Sequence, residues 1–238
     1  MKYYIYISDA KVDMLFPQVP HDIKKKVATE IGIDIKLLTA KRKVESETEE
    51  NRISRLETVL SFIREYSNVG SVDEPDEYFG GSMPLRFLYP VEVWSGIYLS
   101  GHTEKTMLGL SGSLKHMLGF GFPIPNDAML PSNAVWILHW LKKLDVTKTS
   151  LEELFNPRLN LPANESTKPP SNLDLKLVAG LESLRDDLGF SIYENVDFVA
   201  KRLSFQRATP RALGFQDEDH APFHQILLGS PLYLAKAD

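Results

Sequence analysis

The chain has 238 residues, 43% hydrophobic and 25% charged, with a formal net charge of −5 and no cysteine. That length can bury a core able to fold without covalent staples, and the missing cysteines exclude thiolate zinc sites, iron–sulfur clusters, cysteine nucleophiles and thiol redox switches. The acidic balance gives no general pull toward phosphate backbones, so nucleic acid is not an expected partner.

No apolar run reaches the roughly eighteen residues of a membrane span. The opening MKYYIYIS is too short and too rich in tyrosine for a secretory leader, and Asp9 follows at once. The expected location is cytoplasmic. Asn164-Glu165-Ser166 matches a glycosylation sequon but means little without a secretory route.

Residues Tyr3 to Ser8 alternate as a strand, with Tyr3, Ile5 and Ile7 predicted on one face and Tyr4, Tyr6 and Ser8 on the other. Val12, Leu15 and Phe16 then fall at helical spacing, and Pro17 stops that turn. A surface helix is predicted after Pro20, with Ile23, Val27 and Ile31 as its apolar stripe and Gly32 as its stop. IDIKLL, residues 33–38, reads as a strand. The charge then switches from Lys41-Arg42-Lys43 to Glu45, Glu47, Glu49 and Glu50, a solvated approach to a helix buried through Ile53, Leu56, Val59, Leu60 and Ile63.

NVGSVDEPDEYFGG is loop-like and acidic, and the stretch from Pro84 to Gly112 suits two or three antiparallel strands. Ser132 to Leu144 reads as an apolar helix with a basic end, SLEELF as a short helix, and residues 156–172 as a connection. Leu173, Leu177, Leu181, Leu184 and Leu188 line one side of a further helix capped by Gly189. SIYENVDFVAKRLSF keeps helical spacing at Val196, Val199, Ala200 and Leu203, yet its β-branched and aromatic content favours strand. The tail reads as an apolar strand, a break at Gly229-Ser230-Pro231 and a second extended piece. The predicted architecture is a single α+β domain over 1–238, with a mixed, largely antiparallel sheet packed against several amphipathic helices and one candidate sub-boundary at 156–172. No solenoid repeat is present.

The opening YIYISDAKVDML, the central TMLGLSGSLKHMLG and the closing ILLGSPLYLA together resemble an uncharacterised bacterial domain-of-unknown-function family of cytosolic proteins. The resemblance spans nearly the whole chain and implies a single folding unit. It carries no established activity, so it implies no catalytic or binding residues.

Two stretches hold the candidate site residues. In TMLGLSGSLKHMLG, Gly109, Ser111, Gly112 and Ser113 lie between an extended run and an expected helix bearing Lys115 and His116. Backbone N–H groups at such a helix start, with a lysine and hydroxyls, suit a phosphate or carboxylate. The stretch lacks both the P-loop and the dinucleotide-turn spacing, and its glycines have a competing reading as points of close packing. In SDAKVD, Ser8, Asp9 and Lys11 project from a strand end where ligands often bind, although Asp9 reads at least as well as a helix N-cap. Asp9 and Asp13 share a helix face and would hold a hard cation only with further oxygen ligands. No metal and no cofactor is assigned.

Asp76, Glu77, Tyr78 and Phe79 beside two glycines have the composition of a pocket cover, and equally of an ordinary solvated turn. His102 with Glu104, and His220 with Asp217 and Asp219, match no metal spacing. His139 reads as a core or boundary histidine. Lys201, Arg202, Arg207 and Arg211 with Phe205 and Phe215 could clamp a single strand, a reading that the overall charge opposes.

The leading expectation is a sensor or regulatory protein that binds a small anionic, nucleotide-like ligand through Ser8, Asp9, Lys11, Ser111, Gly112, Ser113 and Lys115. The alternative is a hydrolase or transferase acting on a phosphorylated or acyl substrate, with His116 as base and Asp9 as acid or orienter. A third is a protein-interaction module, whose simplest form is self-association into a homo-oligomer. The first two require the polar end of the first strand and the Gly-Ser segment to meet in space.

Overall fold

The computed structural model describes residues 2–32, 49–88, 96–119, 192–207 and 224–237. The strands β1 (Tyr3–Ile7), β2 (Val69–Gly70), β3 (Tyr78–Leu88), β4 (Gly96–His102), β5 (Thr106–Ser113), β6 (Ile192–Arg207) and β7 (Gln225–Lys236) form one sheet. β3, β4 and β5 pair antiparallel in succession, so that Phe87, Leu99 and Leu110 lie abreast. β6 returns along the other side of β3, with Phe79 opposite Ala200 and Leu85 opposite Glu194. That is a Greek-key placement, the fourth strand lying beside the first.

β7 then runs antiparallel to β6 and parallel to β5, with Leu108 opposite Leu227. The ring β3–β4–β5–β7–β6 is therefore closed, and the expected mixed, largely antiparallel sheet is a five-stranded barrel rather than an open layer. Closure removes the exposed edges that an open sheet would have to protect. Every second residue points inward, and Leu85, Phe87, Leu99, Leu108, Phe198 and Leu227 fill the interior.

β1 lies antiparallel to the second half of β7, from Tyr3 opposite Lys236 to Ile7 opposite Tyr233. Its other edge meets the segment after β5, through the Tyr6–Met117 bridge and a 2.9 Å bond from the Leu118 N–H to the Ile5 carbonyl. The register slips between Tyr4 and Tyr6. That bulge overturns the expected alternation: Ile5 and Tyr6 both join the barrel interior, while Tyr4 and Ile7 face the helices.

Three helices cover that outer face: α1 (Asp9–Leu15), α2 (His21–Ile31) and α3 (Glu49–Tyr66). A 3-10 turn at Phe16–Gln18 holds Pro17, as the helix-stop reading requires. Gly32 ends α2 in the left-handed region at φ 71°. Leu56, Val59, Leu60 and Ile63 are buried along α3, as the apolar spacing predicts, and Ile53 is partly buried. Ile31, expected in the stripe of α2, is exposed.

SIYENVDFVAKRLSF falls in β6, in line with its strand propensity. The anticipated break at Gly229-Ser230-Pro231 is a bulge within continuous β7, where Tyr233 pairs with Val199 and Pro231 with Ala200. The strand expected at 33–38, the helices at 132–144, 150–155 and 173–189, and the connection at 156–172 lie outside the described residues. No helix among the described residues is long and apolar enough to cross a membrane.

Candidate functional site at the end of the first strand

β1 ends where Ser8 donates its N–H to the Leu232 carbonyl at 2.8 Å, and α1 begins at the next residue. Ser8 takes the N-cap position, but its side chain makes no capping bond. This corrects the reading of Asp9 as the cap. Asp9 is the first helical residue, and its carboxylate points away from the helix backbone to two side chains: Oδ1 accepts from Arg52 Nε at 2.6 Å, and Oδ2 lies 3.4 Å from His116 Nδ1. Arg52, from α3, also donates through its Nη2 to the Ile7 carbonyl at 3.0 Å. The guanidinium thus ties the strand end to the helix start.

His116 is buried, and its ring meets Tyr6 edge-on at 5.8 Å between centroids. Tyr6 fills the barrel end, with its hydroxyl beside the Ser8 side chain and the Ser113 backbone. Burial pushes that hydroxyl up to about 12, an effect reduced by those two neighbours. Lys11 reaches back along α1 so that Nζ donates to Ser8 Oγ at 3.2 Å and to the Pro231 carbonyl at 3.1 Å. Burial lowers its ammonium to about 8.

The two predicted stretches therefore meet, although only part of the second enters the site. TMLGLSGS forms β5 instead of a turn at a helix start, and only a three-residue 3-10 turn, Leu114–His116, follows it. Its backbone is engaged in the barrel ladders, which corrects the notion of a cradle of open N–H groups.

Gly112 faces inward, where a Cβ would come within 2.4 Å of the Tyr6 hydroxyl. Gly109 stands in the same relation to the Tyr98 hydroxyl, at 2.4 Å. Close packing of aromatic side chains accounts for both glycines. Ser111 is buried on the opposite face of the strand, with its carbonyl accepting from Ser230 Oγ at 3.1 Å. Ser113 lies beside Tyr6, and Lys115 is exposed.

Asp13 is bound by Arg55 at 2.8 Å as Asp9 is by Arg52, and no cluster of three metal-ligating side chains occurs among the described residues. Arg52 and Tyr6 escape a reading that looks for motifs. The available signal was geometric: arginines three apart on the α3 face match carboxylates four apart on α1.

The acidic turn before β3 is a structural junction. Glu77 N–H bonds Asp76 at 2.8 Å, Arg202 Nη1 donates to the Pro75 carbonyl at 2.9 Å, and Tyr78 and Phe79 are buried. His102 is exposed against the Thr103 carbonyl. Lys201 pairs with Glu77 at 3.3 Å, so it and Arg202 serve that junction. Residues 139, 211, 215, 217, 219 and 220 lie outside the described residues.

A family model covers residues 2–238, described as a family of unknown function (DUF7019). The chain belongs to that family. Its whole-chain coverage matches the resemblance carried by the three short segments. No curated protein and no solved structure matches the chain.

Proposed function

We propose that the chain is a cytosolic sensor or regulatory protein that binds a small anionic ligand at the end of β1, with Lys11 as the principal countercharge. The observation that carries this reading is the set of partners around Lys11. Its Nζ donates to a hydroxyl and a carbonyl, both neutral, and no carboxylate among the described residues lies within ion-pair distance. The carboxylates on the same helix, Asp9 and Asp13, are each taken by an arginine of α3.

A half-buried cation with neutral acceptors only is a poor arrangement for stability and a good one for receiving an anion. Arg52 and His116 flank it through Asp9, so the group as a whole stays cationic or neutral. Titration calorimetry against phosphate, nucleotides and small carboxylic acids tests the proposal. Binding by one of these, abolished in Lys11→Met and retained in Lys11→Arg, is expected. Absence of binding across the panel, or equal binding by Lys11→Met, overturns it.

The 3.4 Å approach of Asp9 to His116 favours a second reading, a hydrolase or transferase for phosphorylated or acyl substrates. A carboxylate at Nδ1 orients the ring and leaves Nε2 to move a proton. Turnover of aryl phosphate or aryl ester substrates that disappears in His116→Gln is the expected signature. Identical rates in the two proteins would remove this reading.

A further inference from the structure

The partners of the Lys11 nitrogen among the described residues are all neutral. A neutral amine has two N–H bonds and one lone pair, whereas an ammonium has three N–H bonds and none. Two acceptors are in place, Ser8 Oγ at 3.2 Å and the Pro231 carbonyl at 3.1 Å. They match the two N–H bonds of the neutral amine and leave its lone pair outside the hydrogen-bonded pair, and neither carries the negative charge that would favour the ammonium. The two carboxylates that could hold the charged form, Asp9 and Asp13, are turned toward α3 by Arg52 and Arg55 at 2.6 and 2.8 Å.

We propose that Lys11 is a nucleophilic amine that condenses reversibly with an aldehyde or an α-keto acid bound at the end of β1. This inference rests on the anion-binding reading, in which the mostly charged Lys11 draws the acid ligand to the end of β1 before a molecule with the neutral amine reacts. In the reaction, Nζ forms a bond to the carbonyl carbon, the carbonyl oxygen takes up a proton to become a hydroxyl, and loss of that hydroxyl as water with the remaining amine proton leaves an imine. Amine and carbonyl become imine and water, with no change of oxidation state. When protonated, the imine keeps one positive charge beside the ligand's acid group.

The Ser8 hydroxyl, which accepts from Lys11 Nζ at 3.2 Å, is the side-chain group placed to pass a proton to the departing oxygen. Burial also supports the assignment, because an ammonium lowered to about 8 is neutral in about one molecule in ten at pH 7. An ordinary lysine is neutral far more rarely.

The full chain incubated with glyoxylate and cyanoborohydride at pH 7, then mapped by peptide mass spectrometry, tests the proposal. A carboxymethyl group should appear on Lys11 at least about tenfold faster than on the exposed Lys25 or Lys26, in proportion to neutral amine. Lys11→Arg should lose this fast-labelling site. Labelling that follows exposure, with Lys11 not preferred, overturns the covalent step. If glyoxylate binds in calorimetry in that case, the anion site stands without it, and if it does not, and neither phosphate nor carboxylates bind, both readings fall.

Discussion

The Tyr6 hydroxyl occupies the volume that a side chain at position 112 would need, 2.4 Å from where a Cβ would stand, with the ring atoms behind it at 2.9 and 3.1 Å. Adding one methyl group there forces the buried ring to move. Gly112→Ala should destabilise the protein by about 1–3 kcal/mol in urea denaturation. Removing the hydroxyl with Tyr6→Phe should recover part of that loss in the double variant, but not all, because the ring itself is also close. The same logic links Gly229 to the Phe79 ring at 2.5 Å.

Lys11 makes a second test at this scale. Its lowered proton affinity means that between about pH 8 and its ordinary value of 10.5 the unfolded chain binds more protons than the native one. The contribution of Lys11 to stability therefore rises with pH over that interval. Above about 10 the raised hydroxyls of Tyr6, Tyr78 and Tyr233 act in the opposite sense, since the native state then holds protons that the unfolded state has released. The slope in denaturant midpoints between pH 8 and 10 should flatten in Lys11→Met. Lys24, also lowered by burial and by Arg55, remains in both proteins and cancels in the comparison.

Among the elements, α1 is fastened to α3 by two parallel ion pairs, and they are not equivalent. Arg55 bonds Asp13, whose side chain is 36% exposed, and also lies over the Phe16 ring at 4.4 Å. Asp13→Asn should cost about 0.5–1 kcal/mol, as for a partly solvated pair. Arg55→Ala should cost more, about 1–2 kcal/mol, because the cation–π contact and the packing of its stem go with the charge. Leu60→Ala, in the fully buried stripe of α3, should cost about 2–5 kcal/mol.

The stripe of α3 was legible because spacing alone places Leu56, Val59, Leu60 and Ile63 on one side of a helix. The faces of β1 were not, since a single extra residue in the ladder turns Ile5 and Tyr6 the same way. Nothing in YYIYIS marks that slip. The Gly-Ser segment misleads for a related reason: glycine signals a turn in isolation, and here it makes room for tyrosines that arrive from other strands. The meeting of Asp9 with His116, 107 residues apart, could be posed from the residue types but settled only by the pairing of β1 beside the end of β5.

At the scale of the molecule, five-stranded Greek-key barrels carry unrelated functions, so the closed sheet itself argues for no reaction. It does fix where a site can be rigid. β1 enters between β7 and the chain leaving β5, and the polar groups sit at the rim that this insertion creates. A ligand held there would touch residues from the opposite ends of the sequence, Lys11 and Pro231 being 220 positions apart. Its binding should protect amides of both β1 and β7 from hydrogen exchange, and protection confined to α1 would contradict this placement.

β7 is the strand on which β1, β5 and β6 all depend. During synthesis, the N-terminal strand emerges from the ribosome long before its partner has been translated, and the ring cannot shut until residues 225–236 are out of the exit tunnel. Maturation should then be late and concerted, with arrested nascent chains ending before β7 remaining sensitive to protease and those extended beyond the tunnel becoming resistant in a single step.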